Sequence, residues 1–238
     1  MHDRPLLDAL EHGFTSVEAD IFLVLGVLAV AHEEHEIQME STLQTLYLDP
    51  LRERIEANSG AVYQSGPSFT LLIDIKSDAE ATYLALHEAL ASYRDILTTY
   101  GPNGMEAGPI QVIISGNRPR ELMATQTVRY AGYDGRLTDL ESPAPTTFIP
   151  LISDRWTSTF TWNGEGPIPP DQRQKLRDIV ERVHAAGRRV RFWATPDTPG
   201  PAREAVWQEL IAAGVDLINT DDLRALQRFL ADITDQGS

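Results

Sequence analysis

Cysteine is absent from the 238 residues, which excludes disulfides, thiolate metal sites and a cysteine nucleophile together. Positive charge is scarce: 20 Lys and Arg stand against 35 Asp and Glu, a net charge of −15 with histidine neutral. A field of that sign repels nucleic acid and anionic membrane surfaces, so no nucleic-acid partner is expected. Nowhere do about 18 apolar residues follow one another, so no transmembrane segment is expected either. The opening MHDRPLLDALEHG is acidic where an export signal needs a basic stretch and an apolar run. As it stands, the chain reads as soluble and cytoplasmic.

Against these absences, 42% of the residues are apolar, enough for one large core, and residues 1–238 are expected to form a single domain. Short β-branched or aromatic runs alternate with Gly/Pro/Asn/Asp punctuation and helical periodicity. The strands expected are SVEADIFLV, FTLLIDIK, IQVIISG, VRYAGYDG, TFIPLIS with STFTW nearby, RRVRFWAT and VDLINTDD. The helices expected are RPLLDALEHG, DAEATYLALHEALASYRDILTTYG, PPDQRQKLRDIVERVHAAG and GPAREAVWQELIAAG, with glycine as the stop that helices prefer. This alternation predicts an α/β fold and favours a TIM-type (β/α) barrel over an open doubly wound sheet.

Charge falls where such a fold keeps its chemistry. Side chains alternate faces along a strand, so Glu18 and Asp20 share one face, as do Asp74 and Lys76 at the end of an otherwise apolar run. Three carboxylates converging on a barrel rim repel one another unless a cation lies between them, and oxygen-only ligands suit Mg²⁺ or Ca²⁺. Taken alone, Glu18 and Asp20 also fit a solvated strand face. HEEHE does not fit a zinc peptidase, because His32 and His35 are three apart and follow a strand rather than lying at i and i+4 on a helix. Glu33, Glu34, His35 and Glu36 read as a solvated loop, and His12, His87 and His184 as surface or interfacial residues of helices. Trp162 and Trp193 fit core or rim aromatics.

The words VEAD, VAH and LLIDIK, in that order, resemble the phosphatidylinositol phospholipase C-like phosphodiesterase superfamily, which includes glycerophosphodiester phosphodiesterases and the sphingomyelinase D group. PLLDALEHGFTSVEADIFLV, VIISGNRP, TWNGEG, RFWATPD and LINTDDL extend the resemblance, to a bacterial and fungal branch, over nearly the whole chain. It implies a TIM-type barrel and a metal-dependent phosphoric diester hydrolase acting on a glycerophosphodiester or phospholipid-derived headgroup. By position it implies Glu18, Asp20 and Asp74 as metal ligands, with Mg²⁺ preferred over Ca²⁺. His32 matches a catalytic histidine that protonates the leaving oxygen, and Lys76 the cation beside the phosphate. Asn117 and Trp193 are candidates to touch substrate, although turn stabilisation explains Asn117, and core packing Trp193, equally well.

The chain also departs from that pattern. A first catalytic histidine, in a His-Arg-Gly or His-Asn-Asp type motif, belongs about twenty residues before Glu-x-Asp, and that count runs past Met1. The barrel is therefore expected to lack its first strand, leaving hydrogen-bonding edges beside the second and eighth. A missing N-terminal segment, which would make the protein secreted or periplasmic if it held an export signal, cover by residues 1–12, or pairing between chains would each answer that gap. Leu25 and Val27 occupy a turn where relatives carry a polar Asp-Gly-Glu type sequence. The alternative expectation is a noncatalytic barrel that binds metal or phosphate. NGMEAG, GYDGRLTDL and WNGEGPIPP read as rim loops.

Overall fold

The computed structural model describes residues 4–65 and 68–236. They group into two compact units, Met1–Tyr133 and Asp134–Ser238.

The first unit opens with helix α1 (Pro5–Glu11), followed by an antiparallel hairpin of β1 (Ser16–Val24) and β2 (Val27–Val30). A 3₁₀ turn at Glu34–Glu36 and a single π turn at Gln44–Leu48 lead into α2 (Asp49–Ala57). Then come β3 (Phe69–Ile75), α3 (Ala79–Ala91), a small hairpin of β4 (Thr99–Gly101) and β5 (Gly104–Glu106), β6 (Ile110–Gly116), α4 (Arg120–Thr125) and β7 (Ala131–Gly135), whose last two residues fall in the second unit. The strand order is β2-β1-β3-β6-β7, parallel except for the β1–β2 pair.

Composition explains the centre of this sheet. Leu71, Leu72 and Ile73 of β3 and Val112, Ile113 and Ile114 of β6 are at most 2% exposed, as expected of parallel strands covered on both faces. Each such side chain contributes about 1.5–3 kcal/mol by leaving water. Helix α3 starts where Asp78 caps it, its carboxylate accepting from the Ala81 amide at 2.9 Å.

The second unit continues from β7 into β8 (Leu151–Arg155), the one-turn α5 (Trp156–Thr159), α6 (Pro170–Ala185), β9 (Arg189–Trp193), α7 (Pro201–Ala213), the two-residue β10 (Leu217–Ile218) and α8 (Leu223–Gln236). Its order is β7-β8-β9-β10, all parallel. Helix α7 ends at Gly214 in the left-handed region (φ +84°), which a residue with a Cβ enters only at a cost. STFTW is not a strand. Trp156 and Phe160, four apart, stack with ring centroids 4.2 Å apart, and both meet Phe192 edge-on, an arrangement that needs a helical turn.

Both units are α/β with mostly parallel strands, the class expected. Among the described residues no helix is long and apolar enough to cross a membrane.

Candidate metal and phosphate site

The parallel register of β1 and β3 places Asp20 opposite Asp74 and Glu18 opposite Leu72. Register partners share a face, so Glu18, Asp20 and Asp74 stand on one side, while Ala19 and Ile21, both fully buried, point to the other. One carboxylate oxygen from each of the three lies within 4.8 Å of the others. Oxygens facing one another across Mg²⁺ or Ca²⁺, each about 2.0–2.6 Å from the ion, are about 4–5 Å apart, so this donor set fits one hard cation.

Lys76, two residues past Asp74 on the same face, places Nζ 3.4 Å from Asp20 Oδ1 and 3.2 Å from Asp74 Oδ2. Burial pulls its ammonium down, but the Asp20 and Asp74 charges and the hydrogen bonds to them outweigh this, leaving it raised. Three carboxylates against one ammonium leave two negative charges, the count a divalent ion neutralises.

His32 reaches the site through the hairpin. The Ala31 amide donates to the Asp20 carbonyl at 3.2 Å, extending the β1–β2 ladder one step beyond Ile21↔Val30. The next side chain, His32, then sets Nδ1 2.9 Å from Asp20 Oδ2. That hydrogen bond holds the imidazole above its ordinary value, with burial opposing, although the ring is 67% exposed.

Two further residues belong here that residue patterns did not mark. Gly116 lies in the left-handed region (φ +66°), and a Cβ there would fall 2.0 Å from Asp74 Oδ1 and 2.5 Å from the Ile75 carbonyl. Glycine lets β6 close against the carboxylate; the only signal in the sequence was a glycine ending an apolar strand. Tyr47, carried in by the π turn and 2% exposed, sets its hydroxyl 3.5 Å from the Glu18 carbonyl. Burial first, then the Asp20 and Glu18 charges, push its phenol up, so it stays protonated. Nothing in LQTLYLD announces this, because a π turn has no sequence period of its own.

Asn117 directly follows β6. Its amide donates to the carbonyls of Ser77 (2.9 Å) and Lys76 (3.4 Å), tying the end of β6 to the end of β3. The structure thus brings Glu18, Asp20, His32, Asp74 and Lys76 together, with Asn117 as a strap behind Lys76. Trp193 lies in the second unit, where the Arg155 guanidinium sits 5.5 Å over its ring.

Residues 1–134 match the AIM6-like phosphodiesterase domain family, and residues 189–224 match the glycerophosphoryl diester phosphodiesterase family. Among curated proteins, the chain is similar to the altered inheritance of mitochondria protein 6 homolog of Arthroderma benhamiae, 32% identical over 93% of this chain and 76% of that protein. It is 28% identical to altered inheritance of mitochondria protein 6 of Eremothecium gossypii, over 94% of this chain and 66% of the relative. The counterpart in Lachancea thermotolerans is also 28% identical, over 93% of this chain and 61% of its own length.

Proposed function

Because the chain belongs to the AIM6-like phosphodiesterase domain family, we propose that it is a metal-dependent phosphoric diester hydrolase of TIM-barrel type, acting on a glycerophosphodiester or phospholipid-derived headgroup. The observation that carries this reading is the convergence of Glu18, Asp20 and Asp74 oxygens within 4.8 Å beside the Lys76 ammonium.

Glu18, Asp20 and Asp74 would hold Mg²⁺, or Ca²⁺ in a wider seat. When bound, the ion supplies Lewis-acid stabilisation of charge on the phosphoryl oxygens. Lys76 adds a second positive charge at the same place and is held there by two carboxylates rather than by solvent. Asp20 binds His32 Nδ1 and holds the imidazole above its ordinary value, which leaves Nε2 as the atom to protonate the departing alkoxide oxygen. Tyr47 fixes the strand that bears Glu18 from below, and Gly116 leaves room for the Asp74 carboxylate to turn toward the ion.

Hydrolysis of bis(p-nitrophenyl) phosphate with Mg²⁺, in the native protein and in Asp20→Asn, tests the reading. Loss of a metal ligand should lower the rate at least a hundredfold. Equal rates in the two proteins remove the metal mechanism. Mg²⁺ binding by the native chain without turnover replaces the hydrolase with a noncatalytic metal- or phosphate-binding protein.

A further inference from the structure

We infer that Ser77 is a positioning residue, an assignment that rests on the hydrolase reading above: its hydroxyl clamps the β1–β2 hairpin, which leads to His32, against the end of β3, which leads to Lys76. The ladder between β1 and β3 shows why a clamp is needed there. Their parallel pairing ends at Ile21↔Ile75, and the Lys76 amide closes it by donating to the Ile21 carbonyl at 2.9 Å. Every second residue of one parallel strand bonds the other, so the next rung would run from the Leu23 amide to the Lys76 carbonyl. That carbonyl accepts instead from Asn117 Nδ2 at 3.4 Å, and the Leu23 amide donates to Ser77 Oγ at 2.9 Å. A side-chain hydroxyl thus takes the place of a backbone acceptor where β1 runs on past its partner.

The same hydroxyl is committed on its other side. Ser77 Oγ lies 2.8 Å from Thr82 Oγ1, and Thr82, in the first turn of α3, is fully buried. The Ser77 carbonyl accepts from Asn117 Nδ2 at 2.9 Å, so one residue joins β1, α3 and the end of β6. Helix α3 itself packs on β1 and β2. Capping alone would explain a serine in front of a helix. It does not explain this one, because Asp78 already caps α3 through the Ala81 amide, while the Ser77 hydroxyl reaches a residue 54 positions earlier. Without it, the Leu23 amide and the buried Thr82 hydroxyl both lose a partner.

The place of the clamp decides what it controls. Glu18, Asp20 and Asp74 lie inside the β1–β3 ladder, held by backbone rungs. His32 and Lys76 lie outside it, one after the returning strand β2 and the other just past β3. They meet the same carboxylate from separate segments: His32 Nδ1 is 2.9 Å from Asp20 Oδ2, and Lys76 Nζ is 3.4 Å from Asp20 Oδ1. Releasing Ser77 therefore shifts the proton donor relative to the ammonium and leaves the metal ligands in register.

Ser77→Ala and Ser77→Thr, compared with the native full-length protein, test the assignment; alanine fits the space of serine, and threonine keeps the hydroxyl. With bis(p-nitrophenyl) phosphate and Mg²⁺, kcat should fall roughly tenfold in Ser77→Ala and recover in Ser77→Thr, while Mg²⁺ affinity by calorimetry stays unchanged in both. In metal-free protein, hydrogen exchange should speed in Ser77→Ala at the Leu23 amide and also at the Ala31 amide, which donates to the Asp20 carbonyl, and slow again in Ser77→Thr. A purely local bond would move Leu23 alone. Unchanged kcat in Ser77→Ala, a loss of Mg²⁺ affinity as large as the loss of kcat, no recovery in Ser77→Thr, or faster exchange confined to Leu23 overturns the inference. Absence of turnover in the native protein overturns the hydrolase reading instead, and the joint exchange of Leu23 and Ala31 then decides whether Ser77 holds the hairpin.

Discussion

Asp20 and Asp74 are register partners on adjacent parallel strands, and a single ammonium, Lys76 Nζ, lies 3.4 and 3.2 Å from their carboxylates. The pairing is electrostatically frustrated without a cation, and Lys76 relieves it only in part.

Lys76→Met should therefore lower the metal-free stability by about 1–3 kcal/mol, because it strips the partly buried carboxylates of their partner. Mg²⁺ should then raise the melting temperature more in the variant than in the native chain. Equal shifts in scanning calorimetry would show that Lys76 and the ion do not compete for the same charge.

Gly116→Ala meets both a left-handed backbone and a carboxylate oxygen 2.0 Å from the new Cβ. Gly13, also left-handed (φ +80°) but with nothing within 4 Å, isolates the backbone effect. Gly13→Ala should cost about 1 kcal/mol and leave Mg²⁺ affinity unchanged. Gly116→Ala should cost more and weaken Mg²⁺ binding, which isothermal titration would register.

The β1–β2 turn is strained by its own residue. Leu25 (φ +52°) and Gly26 (φ +83°) are both left-handed, the pattern of a type I′ turn, yet Leu25 is a bulky residue and 93% exposed. Leu25→Asn should stabilise the protein by about 0.5–1 kcal/mol, since asparagine tolerates this conformation and loses no burial. Denaturant unfolding with an unchanged slope and a higher midpoint is the expected result.

His87 packs its ring 5.2 Å from Tyr130 and 6.2 Å from Tyr83, and burial holds it below the usual imidazole value. The unfolded chain then binds its proton more readily than the folded one, so stability falls as pH drops below about 6.5. The loss continues until the folded value is passed. His87→Phe keeps an aromatic ring between the tyrosines and should flatten the fall between pH 7 and pH 5 in thermal melts.

How far the sequence reached can be judged residue by residue. The alternation of β1 and β3 located Glu18, Asp20, Asp74 and Lys76, because a period of two needs no tertiary knowledge to assign a face. Parallel strands buried on both sides announced themselves as apolar runs. Tyr47 and Gly116 were illegible because their positions depend on how the π turn and β6 close against other strands. STFTW looked like a strand from its Thr, Phe and Trp content, and the pairing of Trp156 with Phe160 overrode that propensity. The C-terminal helix α8 and helix α2 lie in stretches from which no element was expected.

The carbonyl of Asp20 holds Ala31 while its carboxylate holds His32. One residue therefore anchors the backbone at Ala31 and the side chain of the next residue, His32, so the end of the hairpin and the imidazole are tied to the acidic cluster through the same aspartate. Relaxation measurements should then find the backbone of residues 18–32 quiet on the millisecond scale.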